Sequence, residues 1–240
     1  GKLSQEKLDQ VISTIKSYES IFQKNKIDRY EIVATSAFRD TSNSEDARRY
    51  IETAINHPLR VISGLEEAQL IRFHPKSNTG KKKIFVDLGG GSTEFFLRDS
   101  KGIEIRSFQL GAVRNMLNKD KKAEWIRLEK WLETIKPRKK LIGIGGNIRS
   151  FLESQNKKEL SAKELNKKMK EFSILSTQEK ILKYQFSPDR ADVIDHALNI
   201  FNFISEHLMI ETITSTKWGI SDSIGVKLFH EIYSNKINIS

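Results

Sequence analysis

Apolar residues recur at three- and four-residue intervals through Leu8, Val11, Ile12, Ile15, Tyr18, Ile21 and Phe22. That period predicts an amphipathic helix, with Ser4 standing where its N-cap belongs. The pattern then shortens: YEIVATSAF (30–38) reads as a strand running into a turn, and PLRVISG (58–64) as a short strand. Between them SNSEDARRYIETAI (42–55) predicts a helix capped by Asn or Ser, and LEEAQLIRF (65–73) opens another. Three strand-like runs follow, at Ile84 to Asp87, Thr93 to Leu97 and Ile103 to Leu110.

From Ala112 onward the period is helical, broken by KLIGIGG (140–146), a short buried strand ending in glycines. SAKELNKKMKEFSIL (161–175), STQEKILKY (176–184) and SPDRADVIDHALNIFNFISEHL (187–208) predict Ser-capped helices, the last with Pro188 in its first turn. ETITST (211–216) predicts one more strand and WGISDSIGVKLFHEIYSN (218–235) a final helix. Strands alternating with helices, and no repeats, predict an α/β protein with a more helical second half.

Composition narrows the class. The 240 residues, 38% hydrophobic and 30% charged, suffice for one large or two modest domains around a real core. No apolar run approaches the ~20 residues of a membrane span. The absence of cysteine excludes disulfides and thiolate metal sites, and with no signal-peptide pattern at the start it predicts a cytoplasmic protein. A net charge of +10 favours polyanions. No aromatic–basic platform accompanies it, which argues against nucleic acid as the partner. Lysines at 81–83 and 136–140 are candidates for a track that guides a polyanion.

The candidate chemistry begins at KIFVDLGGGSTEFFLRD (83–99), where three consecutive glycines join two strand-like runs. Glycine weakens a strand by roughly 0.5–1 kcal/mol relative to alanine. Bare backbone, however, lets successive N–H groups converge on an anion. Gly90 and Gly91 would supply such amides, and Ser92 and Thr93 would add hydroxyl donors. Asp87 and Glu94 flank the loop, and carboxylates beside a phosphate call for a cation such as magnesium between them. LIGIGGNIRS (141–150) repeats the logic, placing Gly145, Gly146 and Asn147 at a helix start suited to a second anion. VATSAFRD (33–40) brings Arg39 to the end of a strand as a phosphate ligand, and SGLEEAQLI (63–71) puts two glutamates in a first helical turn. One of these is a candidate general base; the spacing alone does not choose between Glu66 and Glu67.

ATSAFRD, ISGLEEAQLI, VDLGGGSTEF, SFQLGAVR, GIGGN and PDRADVIDHAL, in that order, resemble the exopolyphosphatase / guanosine pentaphosphate phosphatase (Ppx/GppA) family. The resemblance covers essentially the whole chain. It implies the actin-like ATPase (ribonuclease H-like) two-lobed α/β fold. Residues 1–64 would be the remainder of the first lobe and residues 65–218 the second lobe, with the helix at 219–240 returning to the first. It implies an exopolyphosphatase that releases terminal phosphate from inorganic polyphosphate with magnesium (Mg2+). The alternatives are a guanosine pentaphosphate 5′-phosphatase and a non-catalytic polyphosphate or guanosine tetraphosphate sensor. Motif by motif, Glu67 corresponds to the catalytic base and Asp87 and Glu94 to the metal and water-positioning acids. Gly90, Gly91, Ser92 and Thr93 match one phosphate loop, Gly145, Gly146 and Asn147 a second, and Arg39 a phosphate-binding arginine. A homodimer is left open.

Three departures stand out. The family's opening strands and first phosphate loop would lie upstream of residue 1, so the chain is expected to be a fragment of a longer protein, and its activity alone is an open matter. Asn147 stands where the family usually has threonine, and KWGISDSI (217–224) replaces an arginine- and glutamate-containing pattern.

Overall fold

A computed structural model describes residues 1–27, 29–80, 82–100 and 102–237. Lys81, part of the lysine track expected from the sequence, and residues 238–240, the end of the helix expected over 219–240, lie outside them. The chain divides into two compact units, Gly1–Ser63 together with the segment from Ile224 onward, and Gly64–Ser223.

In the first unit α1 (Gln5–Lys24) is capped as its sequence demands, Ser4 Oγ accepting from the Lys7 amide at 3.3 Å. β1 (Ile32–Ala34) is shorter than the apolar run suggested. The chain turns at once into α2 (Ser36–Arg39), so the turn expected after the strand is a single helical one. α3 (Ser44–Ile55) and β2 (Leu59–Val61) follow, and β2 pairs with β1 in parallel. Asn43 occupies the N-cap of α3, but its amide is turned to the Leu3 backbone, accepting from N at 2.8 Å and donating to O at 3.0 Å. Leu8 and Ile12 of α1 meet Ala47, Ile51 and Ile55 of α3 over Leu59, closing a small core.

The second unit opens with α4 (Gly64–Leu70), continued by a 3-10 turn at Ile71–Phe73. A sheet of six strands is then built from β3 (Lys83–Leu88), β4 (Thr93–Asp99), β5 (Gly102–Phe108) and three later strands. The chain after β5 runs through α5 (Ala112–Met116), α6 (Lys122–Glu133), β6 (Lys140–Ile144) and α7 (Gly146–Ser154), then β7 (Glu159–Ser161), α8 (Ala162–Ser173), α9 (Thr177–Tyr184), α10 (Pro188–His207), β8 (Thr212–Ser215) and the start of α11 (Ile220–Ile237). The strand order is β5-β4-β3-β6-β8-β7. β3, β6 and β8 run parallel at the centre, and β4, β5 and β7 are antiparallel to their neighbours. The edge strand β7 carries no apolar run, and the sequence gives no hint of it beyond the capping serine of α8.

Alternation along the strands sorts the side chains onto two faces. Ile84, Val86, Leu88, Phe95 and Leu97 look one way, into the large core made with Leu128, Phe151, Phe172 and the α10 residues Ile194, Leu198 and Phe201. Phe85, Phe96, Ile142 and Ile144 look the other way and pack with Ile71. That second face also carries the acids. Among the described residues no helix is long and apolar enough to cross a membrane.

Candidate active site

The pairing register lines up a row of side chains across the sheet: Ile144 on β6 opposite Asp87 on β3, Asp87 opposite Glu94 on β4, and Glu94 opposite Ser107 on β5. Directly opposed residues share a face with Cβ atoms ~5 Å apart. Asp87 and Glu94, seven positions apart in sequence, are therefore neighbours because the glycine turn folds β3 back onto β4. Ser107 reaches Glu94 Oε1 at 2.9 Å, and Ser92 donates to the same carboxylate.

α4 lies over this row. Its Gly64 has no side chain because there is no room for one: a Cβ would fall 2.0 Å from Ser107 Oγ and 2.9 Å from Glu94 Oε1. One turn on, the structure separates the two glutamates that spacing could not. Glu66 is exposed, whereas Glu67 is 5% exposed and charges the surroundings of both Asp87 and Glu94. Glu67 and Asp87 also border a cavity of about 10 Å³ walled by Leu70, Ile71, Ile144 and Trp218, room for roughly one water.

Three acids in an apolar setting repel one another. Part of Asp87 stays accessible, yet burial, and then the charge of Glu67, push its pKa up to about 7. Glu94 is raised well above the carboxylate range by burial first, then by Glu67 and Asp87, against the hydrogen bonds from Ser92 and Ser107. Among the described residues no Lys or Arg contributes to either shift. Among the described residues no three acids or imidazoles stand at the spacing of a metal cage. A magnesium ion held by one or two carboxylates, water and substrate phosphate asks for less, and the hard carboxylate oxygens of Asp87 and Glu94 fit it.

The two glycine turns sit at the same, C-terminal, ends of β3 and β6, where open α/β sheets bind ligands. In the first turn the Gly89 amide donates to Ser92 O at 3.0 Å, and the N-terminus of α5 presses against the loop. Gly111, its N-cap, approaches so closely that a Cβ would lie 2.5 Å from Gly90 O. Arg114 Nε donates to Gly91 O at 2.7 Å, and its amide to Gly90 O at 2.9 Å. In the second turn Gly145 takes φ +94°, a region L side chains avoid, and a Cβ there would touch Asp87 Oδ1 at 3.4 Å. The two turns thus meet at Asp87.

Several expected donors are turned inward. Thr93 is fully buried with Oγ1 on Leu110 O at 2.6 Å, and the Ser92 hydroxyl is on Glu94. Asn147 is buried too, Nδ2 donating to Leu88 O at 3.3 Å and Oδ1 accepting from Arg190. In this structure these three side chains, expected to offer hydroxyls or an amide to phosphate, make hydrogen bonds within the protein that brace the turns. Arg39 belongs to the other unit, half-buried at the end of α2, where Nη1 donates to Ile62 O.

The lysine track is corrected. Lys83 opens β3 opposite Lys140, which opens β6, at the N-terminal ends of the strands, four residues and so roughly 13 Å from Asp87. Lys139 pairs there with Glu211 at 3.1 Å and Lys140 with Glu159 at 3.6 Å. The cation near the second turn is Arg190 instead, from the PDRADV segment, to which the sequence reading gave no role. Gly64, Ser107, Gly111 and Arg114 went unassigned too, although ISGLEE and SFQLGAVR contain them; their signal is a glycine or serine at a strand–helix junction.

A sequence profile of the Ppx/GppA phosphatase family matches residues 1–231. The bifunctional 3-dehydroquinate synthase/phosphatase of Fusobacterium nucleatum is 30% identical over 227 positions, covering 80% of this chain and 34% of that protein. This chain therefore spans about a third of that relative's length. A solved Ppx/GppA family member from Aquifex aeolicus matches with TM-score 0.77 at 23% identity, over 96% of this chain and 83% of that one. An exopolyphosphatase from Cytophaga hutchinsonii matches with TM-score 0.81 at 20% identity, over 98% and 84%. At such identities the likeness is one of fold, and the fold is the actin-like ATPase fold.

Proposed function

The chain belongs to the Ppx/GppA phosphatase family, and from that premise we propose that it hydrolyses phosphoanhydride bonds, releasing the terminal phosphate of inorganic polyphosphate. The observation that supports this most is the meeting of Glu67, Asp87 and Glu94 between two glycine turns, with no basic side chain among the described residues offsetting Asp87 or Glu94. Such a site suits a ligand that brings both a cation and an anion.

Glu67 is the general base. Its carboxylate borders the one-water cavity, orients that water toward the terminal phosphorus and takes its proton as the bond to the leaving phosphate breaks. Asp87 and Glu94 would hold the metal, with Ser92 and Ser107 fixing the Glu94 carboxylate. A bound magnesium ion would offset the charge of the phosphate oxygens. Backbone amides at Gly90, Gly91, Gly145 and Gly146 bind those oxygens, and because the turns are braced by Arg114 and Asn147 they need little reorganisation as charge moves. Arg39 enters as a further phosphate ligand on the strength of its motif.

Phosphate release from long-chain polyphosphate and from guanosine pentaphosphate, measured side by side with magnesium and with chelator, tests the proposal on the full-length protein. Release from polyphosphate that stops with chelator is expected. Release from guanosine pentaphosphate alone moves the substrate to the nucleotide, and silence with both, ligand still bound, overturns hydrolysis.

A further inference from the structure

Where α7, α9 and the start of α10 meet, three cations gather: Arg190, Lys183 and Arg149. Among the described residues none of them has a carboxylate partner in an ion pair. Arg190 donates to the neutral Asn147, and Lys183 rests over the Tyr184 ring with Nζ 5.3 Å from its centroid. Arg149 lies near enough to Arg190 to lower its pKa, a smaller cause than burial and one opposed by the neighbouring Asp189. Elsewhere the basic residues commonly find acids, as Arg48 does with Glu45 at 2.7 Å and Lys168 with Glu171 at 2.7 Å.

Arg190 and Lys183 border a cavity of about 420 Å³, with Ser150, Gln185 and Tyr184 on its wall and Glu153 as its one lining acid. That volume falls within the range of small-ligand clefts. Arg190 connects it to the second glycine turn: a Cβ on Gly146 would lie 2.5 Å from Arg190 Nη2, so the guanidinium covers the bare start of α7, and the same residue lines the cavity.

We infer that this cavity is a second phosphate subsite, taking the groups that follow the phosphate bound at the Gly145–Gly146 turn. The inference rests on the phosphatase reading for the identity of the ligand and goes beyond it in naming where the rest of the substrate lies. The charge that guides a polyanion then sits at the C-terminal ends of the strands, beside the acids, and not in the lysines at their N-terminal ends. A planar guanidinium shared between two phosphates suits Arg190 better than a lysine would, through its forked donors. The inner units of an inorganic chain and the pyrophosphate of a guanosine nucleotide present the same chemistry here.

Calorimetric titration of the full-length protein in the Glu67→Gln background, where ligand is not turned over, tests it with inorganic tripolyphosphate, guanosine tetraphosphate and orthophosphate. Lys183→Glu changes an exposed side chain, and an unchanged urea midpoint checks its fold. Tripolyphosphate affinity is expected to fall tenfold or more, with the salt dependence shallower by about one counterion and orthophosphate binding unchanged. Arg190→Lys should weaken both longer ligands while keeping the charge. A drop for guanosine tetraphosphate alone assigns the subsite to the nucleotide's phosphates. Affinities within twofold of the parent for both long ligands, or no binding of either by the parent, overturn it. Lys183-dependent binding with no hydrolysis by the wild-type protein sinks the catalytic reading and leaves the subsite; hydrolysis with Lys183-independent binding does the reverse.

Discussion

Gly64→Ala puts one methyl group into the most crowded point of the site. The new Cβ would lie 2.0 Å from Ser107 Oγ, 2.8 Å from Ser107 Cβ and 2.9 Å from Glu94 Oε1. Rotating the Ser107 hydroxyl away relieves the first contact and breaks its 2.9 Å bond to Glu94; the Cβ contact persists, so α4 must lift from β5. Overpacking of this kind costs about 1–3 kcal/mol, and a lost hydrogen bond to a buried carboxylate adds about 1.5. Better helix propensity returns at most about 1, leaving a net loss of about 1.5–3.5 kcal/mol. Trp125, Trp131 and Trp218 all lie in the unit that contains Gly64, so tryptophan fluorescence in urea reports on it. With a slope of about 2 kcal/mol/M the midpoint should drop by about 1 M or more. The double variant Gly64→Ala/Ser107→Gly should recover part of that loss, because both Ser107 contacts are gone. Strict additivity of the two substitutions, or an unchanged midpoint for Gly64→Ala, would refute the packing of α4 on the acid row.

Glu67→Gln keeps the volume of the base and removes its charge; phosphate release should fall by about 10²–10⁴ while circular dichroism stays unchanged. Asp87 has a folded pKa of about 7, above its ordinary 3.8, so between those values the folded state binds more protons than the unfolded one, and in metal-free buffer stability should decline as pH rises from about 4 to 8, with Asp87→Asn flattening the profile. An increase over that interval would contradict the burial that raises Asp87 and Glu94. Lys180 is 4% exposed and pairs with Asp195, whose Oδ1 already lacks a partner. Lys180→Met should therefore cost about 3–5 kcal/mol by urea titration, and Asp195→Leu on top of it should restore most of the loss.

Much of the architecture was legible along the chain, because local physics writes it there. Helical periods, serine caps and the glycine-broken apolar runs marked α1, β3, β4, β6 and α10 directly. The short pieces were harder: α2 and β7 have too few residues to establish a period, and tertiary contact decides their state. The six ordered motifs likewise pointed to the acids and to both glycine turns. They also promised donors in Ser92, Thr93 and Asn147, which the folded chain directs inward, since buried polar groups must find partners in the protein itself.

What the sequence by itself determined is the inventory: an α/β chain of this family, two glycine turns at strand ends, and carboxylates beside them. Only the tertiary structure decided which of these act together. Strand register made Asp87, Glu94 and Ser107 one row; the bare Cα of Gly64 let α4 settle on it and bury Glu67 in preference to Glu66; and the direction of β3 and β6 carried the lysine runs to the far end while α10 brought Arg190 to the near one. Neighbouring residues in a chain interact over a few positions, so their pattern fixes elements. Charges separated by a hundred residues interact only after packing sets their distance, and no pattern along the chain records that distance.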